Sequence, residues 1–132
     1  MPALGDLEVQ VMRRIWARRG PVTVRDVLGD LHADRDIAYT TVMTVMGNLE
    51  KKGWLRRHAE GRAYRYEPLV SAEEYSAGLM RQALEASTDR PAALMHFIEE
   101  LPADEARALE AAYRRLTGQR RAAAAASRGS RR

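Results

Sequence analysis

Residues 38–67 read AYTTVMTVMGNLEKKGWLRRHAEGRAYRYE, and a change of period inside this stretch decides the fold. In its first half Val42, Val45, Met46 and Leu49 recur at three- and four-residue steps, which gathers them on one face of an α-helix. That helix is predicted from about Ala38 to Lys52, stopped by Gly53, where glycine tolerates the left-handed conformation that closes a helix. From Trp54 the pattern turns strand-like, with Trp54–Glu60 and Ala63–Glu67 flanking Gly61-Arg62 as the arms of a β-hairpin. Pro68 has no amide proton for the ladder and closes the second arm.

Working towards the N-terminus, Leu4, Leu7, Val11, Met12, Ile15 and Trp16 form a helical apolar stripe that Gly20-Pro21 ends. Thr23 is a good N-cap for a second short helix whose buried side is Val24, Val27, Leu28 and Leu31. Ala33-Asp34-Arg35-Asp36 is a polar connection to the third helix. Three short helices and then a hairpin with a basic tip are the layout of a winged helix-turn-helix over residues 1–70. The predicted class is mainly α with a small β-hairpin.

Working towards the C-terminus, residues 71–118 read as three more helices, the first capped by Ser71 and complemented at its positive end by Glu73 and Glu74. Their apolar side is thin: Tyr75, Leu79, Met80 and Leu84, then Leu94, Phe97, Ile98 and Leu101, then Leu109, Tyr113 and Leu116. So few large groups do not build a core alone, so the stripes are expected to pack on a second copy, making this a helical dimerisation domain. Residues 119–132 are rich in Ala, Arg, Ser and Gly without an apolar period and are expected to be a disordered basic tail.

Charge divides along the same lines. Residues 1–70 hold 12 Lys and Arg against 9 Asp and Glu, residues 71–118 hold 5 against 9, and residues 119–132 hold 5 Arg and no acid. Acidic helices repel phosphate, so a nucleic-acid surface belongs to the first segment. The 132 residues include no cysteine, which excludes disulfides and thiolate chemistry, and His32, His58 and His96 are too scattered for a metal site. Adjacent acids such as Glu99-Glu100 and Asp104-Glu105 do not face one another on a helix, so they do not suggest acid–base catalysis. No leader pattern or membrane span is apparent. The expectation is a cytoplasmic, non-enzymatic protein without cofactor, metal or membrane insertion.

Six stretches in order carry a more specific reading: Leu4-Gly5-Asp6-Leu7-Glu8; Val11-Met12 with Trp16; Ala38-Tyr39-Thr40-Thr41-Val42-Met43-Thr44; Leu49-Glu50-Lys51-Lys52-Gly53; Arg62-Ala63-Tyr64-Arg65-Tyr66; and Leu94-Met95-His96-Phe97-Ile98-Glu99. Over roughly residues 4–117 the chain resembles the BlaI/MecI penicillinase-repressor family. The resemblance implies a repressor that binds double-stranded operator DNA as a homodimer on palindromes and is released by a cell-envelope or β-lactam signal. It further implies a signalling protease that cuts relatives at an Asn-Phe bond; the matching bond here is His96-Phe97, which departs from that pattern. The alternative is a MarR-like winged-helix regulator that a small ligand releases from DNA.

In either case the third helix faces the bases, although threonine contacts discriminate less sharply than a bidentate arginine, so this helix alone is not expected to give high specificity. Its buried set leaves Thr40, Thr41, Met43, Thr44 and Asn48 outside the core as candidates for base contact. Thr41, Thr44 and Asn48 share one face, and threonine is a mediocre helix former whose methyl and hydroxyl suit a major groove. Backbone candidates are Thr23, Arg25, Tyr39, Lys51, Lys52, Arg62 and Arg65. Arg56 and Arg57 point to opposite faces of a strand, so at most one of them is expected to face DNA.

Overall fold

The apolar stripes become α1 (Asp6–Ala17), α2 (Val24–His32) and α3 (Tyr39–Lys51), followed by strands β1 (Leu55–Glu60) and β2 (Ala63–Pro68) and helices α4 (Ala72–Glu85), α5 (Arg90–Glu100) and α6 (Ala103–Gly129). The structure is a computed structural model that describes residues 3–129. Val11, Met12 and Ile15 of α1, Val27 and Leu31 of α2, and Val42, Met46 and Leu49 of α3 are buried together with Leu55 and Tyr66 of the strands. Most of the predicted apolar stripes are thus the core, while Leu4, Leu7, Trp16 and Leu28 are half-buried against it.

Two glycines make the turns around the recognition elements. Gly53 takes φ +85° after α3 and lets the Trp54 amide donate to the Leu49 carbonyl at 2.9 Å. Gly61 takes φ +64° in a two-residue hairpin turn whose flanking pair is Glu60↔Ala63. Only Leu55 of β1 and Tyr66 of β2 are buried, so the hairpin is anchored at its base and stands out as a wing. An isolated bridge pins that base: Val22 and Tyr66 exchange backbone hydrogen bonds at 2.9 and 2.8 Å. Gly20-Pro21 therefore does more than end α1; it leads the chain into a one-residue third strand.

The chain divides into two compact units between Met80 and Arg81, later than the expected boundary at residue 70. Tyr75 is the reason. Its ring lies 5.5 Å from Trp16 and 5.8 Å from Trp54, and the Trp16 indole donates to the Val70 carbonyl at 2.9 Å. The first turns of α4 thereby close the N-terminal core. Tyr75, one of the expected dimer-interface residues, packs within its own chain, because two tryptophans at the edge of the core offer it an aromatic seat.

In the second unit, Asp89 caps α5 by accepting from the Ala92 amide at 3.1 Å. The structure also corrects the disordered tail: α6 continues through residue 129. The physical reason is propensity, since Ala122–Ala126 and the neighbouring arginines are strong helix formers whether or not they have an apolar period. The last residues of the expected tail, 130–132, lie outside the described residues. Among the described residues no helix is long and apolar enough to cross a membrane.

Candidate nucleic-acid interface

All five predicted base-contact residues, Thr40, Thr41, Met43, Thr44 and Asn48, are exposed on α3 opposite its buried face. Met43 is 45% exposed, a large apolar group left in water beside the threonines. Thr44 differs from Thr41 in one respect that matters for readout. Its hydroxyl donates to the Thr40 carbonyl at 2.9 Å, so outwardly Thr44 offers a methyl group and an acceptor lone pair but no proton. No such bond engages the Thr41 hydroxyl among the described residues.

A cleft joins the starts of α2 and α3 to the wing, lined by Thr23, Val24, Arg25, Tyr39, Met43, Arg62, Ala63, Tyr64 and Tyr66. It brings together five of the predicted contact residues from three separate elements. Thr23 holds its place through a reciprocal cap: its hydroxyl accepts from the Asp26 amide at 3.1 Å, and the Asp26 carboxylate accepts from the Thr23 amide at 2.9 Å. The Thr23 amide, seconded by the Thr23 hydroxyl and the Arg18 and Arg65 charges, holds the Asp26 carboxyl below the usual carboxylate range against the opposing effect of burial. Arg18 in turn binds Asp30 at 2.8 Å, which locks α1 to α2.

The basic candidates separate into free and committed groups. Arg25, Lys51 and Arg62 are exposed, and their charged heads have no hydrogen-bond or ion-pair partner among the described residues. Lys52 instead donates to Glu8 at 2.7 Å and binds the Ala3 carbonyl at 3.4 Å, while Arg65 pairs with Glu60. Arg56 is bound by Glu67 across the hairpin. Arg57 lies 4.4 Å from the Tyr64 ring centroid and 3.7 Å from Glu50. Arg56 therefore ties the two strands of the wing together, and Arg57 also ties the wing to α3.

Sequence reasoning overlooked Tyr64. It shares a strand face with Tyr66, but it lies beyond the reach of the core and so stands 48% exposed at the rim of the cleft. The two-residue alternation carried that signal. The Arg57–Tyr64 stack and the Val22–Tyr66 bridge had none, because both depend on register between segments.

The C-terminal helices present the other predicted surface. No residue of α4, α5 or α6 is buried. Leu79, Met80, Leu94, Phe97, Ile98, Leu109, Tyr113 and Leu116 are exposed, while Leu84 and Leu101 are half-buried. His96 and Phe97 lie inside α5, where the His96 imidazole approaches Glu99 at 3.7 Å.

An exposed polar helix face, a basic wing tip and a cleft between them define a winged helix-turn-helix DNA-binding protein. The chain belongs to the penicillinase repressor family, whose model matches residues 4–115. It is 50% identical over 116 residues to the transcriptional regulator BlaI of Mycobacterium tuberculosis, covering 86% of this chain and 84% of that one. To the penicillinase repressor of Bacillus licheniformis it is 31% identical over 75 residues, 57% of this chain and 58% of that one. Among solved structures, the DNA-binding domain of the repressor BlaI matches with a TM-score of 0.50 at 31% identity, covering 56% of this chain and 89% of that one. The protein is accordingly a DNA-binding transcriptional repressor and not an enzyme.

Proposed function

We propose that the repressor acts in the cytoplasm as a homodimer on palindromic operators, with α3 in the major groove of each half-site and the wing on the flanking backbone. The observation that carries the dimer is the exposure of Leu94, Phe97, Ile98, Leu109 and Leu116 on helices that bury none of their own residues. A two-fold dimer presents its recognition helices to half-sites about one helical turn, roughly 34–36 Å, apart. Thr41, Thr44, Met43, Thr40 and Asn48 read bases, and Arg25, Lys51, Arg62, Thr23 and Tyr39 hold phosphates. Lys52 and Arg65 leave the contact set, because their charges are spent on Glu8 and Glu60.

Release follows a cell-envelope or β-lactam signal in this reading, which the penicillinase repressor of Bacillus licheniformis supports. The candidate cleavage bond, His96-Phe97, lies within the helical hydrogen bonds of α5, so a signalling protease would act on a locally unwound α5. Cutting there divides the apolar surface and removes the gain of binding two half-sites at once. Sedimentation of the full chain with and without a duplex from upstream of its own gene tests the reading. A dimer that binds one duplex supports it, and a monomer that binds with the same affinity overturns it.

A further inference from the structure

Beyond residue 115, where the family match ends, α6 runs on as helix to Gly129. Arg107, Arg114, Arg121 and Arg128 follow one another at seven-residue intervals along it. Seven residues are nearly two helical turns, with a drift of only about 20° per step, so the four side chains share one stripe. At about 1.5 Å per residue the stripe is roughly 31 Å long.

Its setting is basic. The acids of α6 are Asp104, Glu105 and Glu110, and no acid follows Glu110 in the chain. All four arginines are exposed. Arg114 pairs with Glu110 at 2.7 Å, so its charge is committed as that of Lys52 is; the Arg128 guanidinium donates only to the neutral Ala124 carbonyl at 3.4 Å, and the heads of Arg107 and Arg121 have no partner among the described residues, which leaves Arg107, Arg121 and Arg128 as the stripe's available charges. The apolar row Leu109, Tyr113 and Leu116 lies on another side, and the next position of that row is Arg120. Past Leu116 the helix therefore has charge but no large apolar group to bury on a second copy.

We propose that this arginine stripe is a second DNA-backbone contact, which binds phosphates of the duplex without regard to sequence. Guanidinium groups fork onto phosphate oxygens, and each neutralised phosphate releases counterions, so the contribution is a salt-dependent gain common to all DNA. Helical order lines these arginines along one side, while Arg115 and Arg120 of the same helix face elsewhere. The proposal rests on the chain's DNA binding and not on the dimer.

The test compares two full-length double variants of equal charge, R121Q/R128Q on the stripe and R115Q/R120Q off it, with an operator duplex and a random duplex over a salt series. The stripe variant is expected to lower the slope of log affinity against log salt by about 2 per chain on both duplexes, at about 0.9 per phosphate contact. The off-stripe variant is expected to change it by less than half as much. Equal losses from both variants overturn the stripe in favour of diffuse charge. An unchanged slope, with binding to phosphatidylserine vesicles lost in R121Q/R128Q, overturns DNA as the occupant in favour of an anionic lipid surface. A parent chain that binds neither duplex overturns the DNA reading and this proposal with it.

Discussion

Lys52, the residue after α3, donates a hydrogen bond to Glu8 in the first turn of α1 at 2.7 Å. The same carboxylate oxygen accepts from the Gly5 amide at 2.9 Å, while Glu8 Oε2 is buried without a hydrogen-bond partner among the described residues. The pair thus joins the end of the recognition helix to the start of the first helix. Burial pushes the Glu8 carboxyl up, but the Lys52 hydrogen bond, the Gly5 amide and the Lys52 charge together hold it below the ordinary carboxylate range.

Replacing Lys52 with Met leaves that carboxylate with one partner fewer, and a cost of about 1–2 kcal/mol in unfolding free energy is expected. The sign with pH follows from the depressed folded-state value. The stabilisation is full above the unfolded carboxylate range and is lost as pH falls through the folded value. Denaturant unfolding at neutral and acid pH checks this: the difference between wild type and K52M is expected to shrink in acid. DNA affinity at neutral pH is expected to change far less than in R62Q.

Tyr75→Ala removes a ring packed against Trp16 and Trp54 and is expected to cost about 2 kcal/mol, below the range for a fully buried aromatic. Thermal unfolding of the 1–80 unit gives the comparison. A 1–70 fragment, which lacks Tyr75, is expected to melt below a 1–80 fragment.

Thr41 and Thr44 are expected to respond differently to valine. The Thr44 hydroxyl proton is already given to Thr40, so Thr44→Val keeps the outward methyl and loses only an acceptor. Thr41→Val removes a free donor and is expected to cost about 1 kcal/mol, or roughly fivefold in operator affinity, with most of the loss at one base position. Competition titrations against single-base operator variants check the order. A larger loss in T44V than in T41V contradicts it.

Arg62→Gln removes a wing-tip charge that has no partner among the described residues. Operator and random DNA are expected to weaken alike, with the salt slope smaller by about 1. Arg65→Gln is expected to change the slope by less, because Arg65 already faces Glu60.

How far this was legible in the sequence depends on whether a feature is local. Val42, Val45, Met46 and Leu49 announced α3 and its outer face, and Gly53 and Gly61 marked turns whose positive φ the structure shows. The ends of interactions that join distant segments were not legible. Nothing within seven residues of Lys52 reveals Glu8, and nothing near Tyr75 reveals Trp16, so the Lys52–Glu8 pair and the aromatic seat of Tyr75 come from the structure alone. The tail differs in kind: residues 119–129 have no apolar period yet are helical, and the strong helix propensity of the alanine run favours this.

The most direct test of the central claim is a mobility-shift titration of the full chain and of a 1–80 fragment, which keeps Tyr75, on DNA from upstream of the protein's own gene with random competitor. Two C-terminal helices carrying exposed Phe97, Ile98 and Leu109 are present in one and absent from the other. A competitor-resistant complex that the full chain forms and the folded fragment does not hold is the predicted result. Equal retention by the fragment would contradict the dimeric repressor, since it would place all of the operator affinity in a single winged helix.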